Sequence, residues 1–229
     1  MKIIKKLQSY VPPDMGIPLL IALAWNLFVF YFPRPITASR HHFDMTTAFD
    51  KWMPVIPWTV IIYFSCYIFW ALNYILSCYQ PRKESYRFLS AHFLAETAAL
   101  VLFIALPTTL SRPEGREIKN VFDRLLAYLY SIDSADNLFP SLHCLVSWMC
   151  VIGVRNNKIV PKWYKIFSYV FTLMIFITVL TTKQHVAADI LSGVIIAELS
   201  YRFTDKIGLT KLFEKIHCKL YHLGPTTES

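Results

Sequence analysis

The sequence predicts an all-α membrane protein, a polytopic bundle of six transmembrane helices with both termini in the cytoplasm. Its 229 residues are 55% hydrophobic and 17% charged, whereas roughly a quarter of the residues in average globular proteins are charged. The charged residues are clustered and leave long apolar runs between them. These runs predict the helices, and the distribution of Lys and Arg between them predicts the orientation.

Six apolar runs account for the predicted helices. A spanning helix needs about 20 mostly apolar residues, with a range of about 17–25. The runs cover residues 17–32, 55–79, 88–106, 139–154, 166–182 and 186–201, and the shorter ones can extend into neutral flanking residues. A soluble helical protein is the alternative, but it would have nowhere to bury six such runs.

Lys and Arg are unevenly divided between alternate connections, which sets the orientation of such a bundle. With the N-terminus inside, the inner set has 15 members: Lys2, Lys5, Lys6, Arg82, Lys83, Arg87, Arg155, Lys158, Lys162, Lys165, Arg202, Lys206, Lys211, Lys215 and Lys219. The outer set has 8: Arg34, Arg40, Lys51, Arg112, Arg116, Lys119, Arg124 and Lys183. The excess predicts cytoplasmic termini. The same basic residues account for the formal net charge of +8. They would face anionic lipid head groups rather than nucleic acid.

The chain is predicted to form one domain, because no linker, repeat or low-complexity tract divides residues 1–229. The first run is interpreted as a retained helix rather than a secretory signal, since Pro12, Pro13 and Asp14 interrupt the approach to it. The five cysteines lie in membrane runs or in the inner tail, without a CxxC pair, which favours packing over disulfides or zinc binding.

Two segments outside the runs have apolar residues at helical spacing. One lies within residues 110–139 and the other within residues 206–223. Each is predicted to be an amphipathic helix that contacts the membrane or packs against the bundle.

The last outer connection is short, but it contains a pair of residues suited to catalysis. His185 and Asp189 are four residues apart, so on a helix they lie on one face. The Asp189 carboxylate can then accept the Nδ1 proton of His185, which leaves Nε2 free for nucleophilic attack. A structural pair is the alternative, but a carboxylate within an apolar helix is costly and usually functional.

The second element is the sequence Pro140-Ser141-Leu142-His143 at the start of the fourth run. Pro140 and Ser141 are typical of the first residues of a helix, where free N–H groups attract anions. His143 lies about half a turn further along and can protonate a leaving oxygen. The alternative is that Ser141 only caps the helix and His143 only packs.

The third element is Arg112, just beyond the third run. Its guanidinium suits bidentate binding of phosphate oxygens, and a solvated interfacial Arg is the alternative. In the predicted topology the third helix ends on the outer side and the fourth helix begins there. The fifth and sixth helices also meet on the outer side. His143, His185, Lys183 and Arg112 therefore fall on one face of the membrane, which predicts a phosphoryl-transfer site.

Four other ionisable residues fit this site less well. His92 and Glu96 lie early in the third run, at least about 24 Å from Arg112 along a helix. They are interpreted as an interior polar pair, with a proton relay as the alternative. His41 and His42 could bind a metal ion, but no third ligand is evident from the sequence, and they stay unassigned.

These motifs resemble the type 2 phosphatidic acid phosphatase (PAP2) superfamily in order and spacing. The matching residues are Arg112-Pro113, then Pro140-Ser141-Leu142-His143, then His185 and Asp189. The resemblance covers roughly residues 50–201. Residues 50–58 and the sequence Lys183-Gln184-His185 are similar to the branch that includes inositol-phosphorylceramide synthase-type membrane proteins.

Two positions depart from the family pattern. Its first motif has a Lys where this chain has Ala105, and its third motif has an Arg where this chain has Val179. The similar branch also lacks this Arg, so Lys183 would replace it. Without the first Lys, the phosphate pocket has less positive charge.

The resemblance implies a role for each matching residue. His185 would be the nucleophile that forms a phosphohistidine, Asp189 its orienting partner, and His143 the general acid for the leaving group. The residues that would hold the phosphoryl oxygens are Arg112, Ser141 and Lys183. No metal ion and no cofactor is implied, because cationic side chains and helix N–H groups can stabilise the charge on the equatorial oxygens.

The expected function is that of an integral-membrane lipid phosphatase. Residues 50–201 would form its catalytic core, and residues 202–229 a basic cytoplasmic tail. The protein would lie in the cell membrane with its active site on the non-cytoplasmic side. Its partners would be membrane lipids and a lipid phosphomonoester or diphosphate; phosphatidic acid, phosphatidylglycerol phosphate and polyprenyl diphosphate all fit.

Two other functions stay open from the sequence. A lipid phosphotransferase would move a phospho-head group to an alcohol acceptor and would use the same residues. A transporter or a non-catalytic membrane protein belongs to a different class, and buried ionisable groups such as Glu96 and Glu198 allow it.

Overall fold

A computed structural model of the chain describes residues 14–113 and 117–222, and this part is mostly helical. In chain order its elements are α1 (Gly16–Tyr31), α2 (Pro33–Thr37), β1 (Phe43–Asp44), α3 (Ala48–Trp52), the 3-10 turn Pro57–Thr59, α4 (Val60–Cys78), α5 (Arg82–Ala105), β2 (Thr108–Thr109), α6 (Val121–Ile132), α7 (Leu142–Arg155), α8 (Lys162–Thr181), α9 (Ala187–Phe203) and α10 (Leu209–Tyr221). Lys2, Lys5 and Lys6 of the predicted inner set and Arg116 of the outer set lie outside the described residues.

Four helical segments are long and apolar enough to cross a membrane: Gly16–Thr37, Pro57–Cys78, Arg82–Ala105 and Lys162–Thr181. They cover all or nearly all of the first, second, third and fifth apolar runs. The fourth and sixth runs lie in α7 and α9, which have 14 and 17 residues. At 1.5 Å per residue these helices are about 21 and 26 Å long, against roughly 30 Å for the hydrocarbon core of a bilayer. Length and composition together therefore identify four spans and leave α7 and α9 as shorter helices.

Several helices begin next to a Pro, Ser or Gly residue, residue types that favour the start of a helix. Pro81 precedes α5 and Pro161 precedes α8, where the missing N–H of Pro costs no helical hydrogen bond. Ser141 caps α7, and its Oγ accepts a hydrogen bond from the Cys144 N–H at 3.2 Å. Gly208 precedes α10 with φ 78°, a left-handed conformation that glycine adopts without strain.

The central element of the bundle is α7. Twelve of its fourteen residues are buried, since α4, α5, α8 and α9 all pack against it. Small residues allow the closest approaches. A Cβ on Gly153 would lie 1.9 Å from Ser77 Oγ, and a Cβ on Gly193 would lie 2.8 Å from the Ser141 carbonyl oxygen. The start of α7 is thus pressed directly against α9.

The outer helices present apolar side chains to the surroundings. Exposed examples on α1, α4, α5, α8 and α9 are Leu20, Ile68, Val101, Leu173 and Leu191. A soluble monomer rarely exposes apolar surface on this scale, whereas lipid tails solvate it. The distribution is that of a membrane protein.

The segments outside the long helices have their own structure. β1 pairs in parallel with β2, a two-residue ladder that departs from the all-helical prediction. The amphipathic helix predicted within residues 110–139 is confirmed as α6, which buries Leu126 and Leu129 and leaves Val121 exposed. The helix predicted within residues 206–223 is confirmed as α10, which packs against α5.

Candidate active site

A small cavity lies at the end of the bundle where α5 and α8 end and α7 and α9 begin. It encloses about 20 Å³, and His143, Gln184 and His185 are among its lining residues. A larger cavity, of about 240 Å³, lies at the opposite end, where the lining is apolar and aromatic apart from Asn157 and contains no His, Asp, Glu, Lys or Arg. The smaller cavity is the candidate site because the ionisable groups surround it.

The two residues of the predicted pair are in contact. The Nδ1 of His185 lies 3.2 Å from Asp189 Oδ2, and the same oxygen accepts a hydrogen bond from the Val186 N–H at 3.0 Å. Both side chains are buried. Asp189 thereby fixes the imidazole so that Nδ1 faces the carboxylate and Nε2 is directed away from it.

His143 reaches the cavity from the first turn of α7. Its ring centroid lies 5.9 Å from that of His185. The ring packs beside Tyr63 and Trp70, with centroid separations of 4.5 and 5.4 Å. Among the described residues its Nε2 has no hydrogen-bond partner, although the atom is buried. Two imidazoles from elements about forty residues apart thus converge, and one keeps a free nitrogen.

Ser141 has a structural position in this arrangement. Its backbone N–H donates to the Asp189 carbonyl oxygen at 3.0 Å, and its hydroxyl caps α7 through the Cys144 N–H. The side chain is fully buried and does not line the cavity. The structure therefore places Ser141 at the junction of α7 and α9, behind the two imidazoles.

Arg112 lies beside the cavity with most of its donors occupied. Its Nε donates to the Lys183 carbonyl oxygen at 3.3 Å and its Nη1 to the Asp133 carbonyl oxygen at 2.6 Å, while Nη2 donates to Gln184 Oε1. The guanidinium also stacks over the Tyr130 ring. Burial lowers the pKa of Arg112 below its usual value, but a guanidinium remains charged at neutral pH. Arg112 thus joins the end of α6 to the turn between α8 and α9.

Lys183 points away from the cavity. Its Nζ donates to the carbonyl oxygens of Asp50 and Met53, both at 2.6 Å. Its backbone φ of 52° lies in the left-handed region, which is uncommon for a residue with a side chain. Burial lowers the pKa of Lys183, and the charge of Asp50 partly offsets this effect. The structure brings Arg112, His143, His185 and Asp189 together but directs Lys183 to a neighbouring loop.

Several residues that the sequence analysis did not single out complete the site. The Asp133 carboxylate accepts hydrogen bonds from Arg34 Nη2 at 3.1 Å and from the Tyr63 hydroxyl at 2.7 Å. Asp50 accepts a hydrogen bond from the first N–H of α9, that of Ala187, at 2.8 Å. One clue was available for Asp50, because it opens the segment 50–58, on which the expected family resemblance partly rests. Asp133 and Tyr63 had none.

The remaining histidines lie elsewhere. His41 and His42 are on the first outer connection, where His42 Nδ1 is 3.0 Å from the Arg40 carbonyl oxygen. Within residues 14–113 and 117–222, no three His, Cys, Asp or Glu side chains are placed to bind a metal ion. His92 and Glu96 form an interior contact of 3.5 Å between α5 residues, and neither of them lines the cavity.

The chain matches none of the known protein-family models and none of the curated proteins with which it was compared. The function must therefore be argued from the site.

Proposed function

We propose that this chain is a PAP2-type lipid phosphatase of the membrane, which cleaves a lipid phosphomonoester or diphosphate through a phosphohistidine. One observation carries the proposal: two buried imidazoles, from α7 and from the turn before α9, meet at one cavity with centroids 5.9 Å apart. His185 has its Nδ1 held by a buried carboxylate. Nucleophile, orienting acid and general acid are the groups that phosphoryl transfer through histidine needs.

The mechanism follows from these positions. His185 Nε2 attacks phosphorus, an N–P bond forms and the bond from phosphorus to the leaving oxygen breaks. His143 Nε2 donates its proton to that oxygen, so a phosphomonoester leaves as the lipid alcohol and a diphosphate as the lipid monophosphate. Water then attacks the phosphohistidine, gives its proton to His143 and releases inorganic phosphate. Asp189 stabilises the charge that His185 gains in both steps.

The substrate requires a larger opening than the structure has. A cavity of about 20 Å³ is close to the space one water molecule occupies. A phosphoryl group with its lipid tail can enter only if side chains at the mouth move. Two acidic residues, Asp133 and Asp136, lie in the cavity lining and are paired with Arg34, at 3.1 and 3.3 Å.

The proposed placement has six crossings, both termini in the cytoplasm and the site at the non-cytoplasmic face of the cell membrane. Two features support adding α7 and α9 to the four long spans. Exposed apolar residues run along α9 at four-residue intervals, namely Leu191, Ile195 and Leu199. Buried on almost every side, α7 needs no lipid-facing surface of its own. The excess of Lys and Arg in the inner set supports the orientation.

The decisive experiment measures inorganic phosphate release by the purified full-length protein from a panel of lipid phosphates. We expect release from at least one lipid, and we expect His185→Ala to reduce it by about a thousandfold or more, because removal of a nucleophile usually costs that much. The matched control is His41→Ala, which replaces an exposed histidine outside the cavity lining and should leave release unchanged.

The outcome separates the proposal from its rivals. Head-group transfer to an alcohol without phosphate release would identify a lipid phosphotransferase that uses the same two histidines. Lipid-phosphate turnover that survives His185→Ala would contradict both enzyme hypotheses. It would leave a non-catalytic membrane protein or a transporter as the remaining candidate.

A further inference from the structure

Gln184 occupies the centre of the candidate site, between Lys183 and His185. Its side chain is 1% exposed and lines the same cavity as His143 and His185. The backbone N–H groups of Gln184 and His185 both donate to the Val179 carbonyl oxygen, at 2.9 and 3.1 Å. This tight turn after α8 fixes where the amide points.

Arg112 determines which end of the amide faces the cavity. A guanidinium has donors only, so the atom that accepts from Arg112 Nη2 must be the oxygen, Gln184 Oε1. The NH₂ group is then on the other side of the amide. Within residues 14–113 and 117–222 it has no hydrogen-bond partner, although Nε2 is buried.

A buried NH₂ group without an acceptor costs free energy, and a bound ligand that supplies the acceptor is one way in which this cost is offset. His143, which lines the same cavity, also has a buried nitrogen without a partner, Nε2. Two residues beside the imidazole of His185 therefore each carry an unpartnered nitrogen with donor capacity. A phosphoryl group, with three acceptor oxygens around phosphorus, satisfies donors of this kind.

We propose that the side-chain amide of Gln184 binds a phosphoryl oxygen of the substrate and of the transition state. The inference rests on the proposed function. It assigns to Gln184 the contact that the sequence pattern assigns to Lys183, whose ammonium is bound to two backbone carbonyls instead. Arg112 then acts through Gln184, because it holds the amide oxygen and so turns the donor toward phosphate.

The test is Gln184→Glu, assayed for phosphate release and for orthovanadate binding by thermal shift of the purified protein. Glutamate has the same shape and still accepts from Arg112, but it replaces the donor by a negatively charged acceptor. We expect phosphate release to fall on the order of 100-fold, as on the loss of one oxyanion donor. We also expect the orthovanadate-induced shift to disappear. Gln184→Met removes the donor without adding charge. It should reduce phosphate release and the orthovanadate-induced shift, but less than Gln184→Glu does.

Gln80→Glu is the matched control. Gln80 lies at the opposite end of the bundle, where its Nε2 donates to the Ser77 carbonyl oxygen at 2.6 Å, so release and orthovanadate binding should stay at wild-type levels. If Gln184→Glu fails to fold, the result for Gln184→Met decides whether the Gln184 amide binds phosphate. Wild-type release and orthovanadate binding in a folded Gln184 variant, with release still abolished by His185→Ala, would overturn this inference and leave the proposed function standing. Absence of release from the wild type would instead overturn the proposed function.

Discussion

Asp50 shows how a single side chain holds several parts of the site together. Its Oδ1 accepts from the Ala187 N–H at 2.8 Å, and its Oδ2 accepts from the Thr47 N–H at 2.9 Å and from the Thr47 hydroxyl. Its carbonyl oxygen binds Lys183 Nζ. Burial opposes ionisation of the Asp50 carboxyl, but the hydrogen bonds from Thr47 and Ala187 and the charge of Lys183 outweigh it. The pKa of Asp50 therefore lies below its usual 3.8.

This lowered pKa predicts a pH-dependent contribution to stability. We expect Asp50→Asn to lower the free energy of unfolding by about 1 kcal/mol at pH 7, the usual cost of a lost cap or charge-assisted hydrogen bond. A depressed carboxyl pKa stabilises the fold above the unfolded-state pKa, and the contribution disappears as pH falls through the folded-state value. The difference between variant and wild type should thus narrow below about pH 4.

Unfolding of both proteins in detergent at pH 7 and at pH 3 measures this difference. Asp44→Asn is the control, since Asp44 is exposed and bonds only to Thr46 among the hydrogen bonds of the described chain. If the difference in free energy of unfolding between Asp50→Asn and wild type stays constant over the whole pH range, the charge of Asp50 contributes nothing to stability.

Local spacing explains which site residues could be predicted from the sequence. His185 and Asp189 are four residues apart, but His185 lies two residues before α9, where Val186 is extended. Their contact of 3.2 Å is therefore made across the N-terminal turn of α9 rather than along a helix face, and close spacing in the sequence was enough to predict it. The contact between Tyr63 and Asp133 joins residues 70 apart, and that between Arg112 and Gln184 joins residues 72 apart. No periodicity encodes these distant contacts, because they depend on how the helices assemble.

At the scale of elements, a buried chain of polar side chains attaches α1 to the bundle. Asn26 on α1 donates to Glu96 Oε1 on α5 at 2.5 Å, and Glu96 Oε2 lies 3.5 Å from His92 Nε2. The Nδ1 of His92 is in turn 2.9 Å from the Tyr74 hydroxyl on α4. In an apolar interior such groups are stable only while they are paired.

This chain predicts that Glu96 has a structural role. We expect Glu96→Ala to lower the free energy of unfolding by about 3 kcal/mol, because it leaves the buried amide of Asn26 without its acceptor, whereas His92 keeps its contact with Tyr74. Glu96→Gln keeps the shape and one acceptor, so it should cost about 1 kcal/mol and leave phosphate release at the wild-type level. Unfolding in detergent together with the release assay measures both effects.

Glu84→Ala, at the start of the same helix and partly exposed, is the control for α5. A folded Glu96→Gln protein that releases phosphate much more slowly than wild type would favour the proton-relay alternative instead.

The helices themselves could be predicted to different degrees. Long runs such as 55–79 identify their helices directly, since polypeptide in lipid must satisfy its backbone internally. The start of α7 could not be predicted from its run. The N–H groups of Phe139, the first residue of the run 139–154, and of Leu138 just before it both donate to the Thr108 hydroxyl, at 2.9 Å, so the run starts bonded to β2 rather than in a helix. The run is longer than its helix for this reason.

At the scale of the molecule, the two ends of the bundle differ. The candidate site lies where α5 ends, whereas α10 packs against the other half of α5, with the Tyr86 hydroxyl 3.0 Å from His217 Nδ1. On its free sides α10 carries an exposed row of Lys211, Lys215 and Lys219 next to an exposed row of Leu212, Ile216 and Leu220. Such a helix suits a surface of anionic lipid, and this agrees with a cytoplasmic position for α10 in the proposed orientation.

Thiol labelling at two exposed positions tests both the number of crossings and their direction. In the proposed topology Trp52, which is 75% exposed near the site, lies outside, and exposed Lys158 between α7 and α8 lies inside. In a background with Cys218→Ser, which removes the one described cysteine that is not buried, we expect Trp52→Cys to react with a membrane-impermeant maleimide on intact cells. Lys158→Cys should react only after permeabilisation.

The two alternatives give different patterns. If α7 does not cross the membrane, residue 158 follows three spans instead of four, and Lys158→Cys would react on intact cells together with Trp52→Cys. If the bundle is inverted, Lys158→Cys alone would react, and the two histidines would face the cytoplasm. That second pattern would exclude a non-cytoplasmic lipid phosphate as the substrate, because the catalytic groups would open to the wrong leaflet.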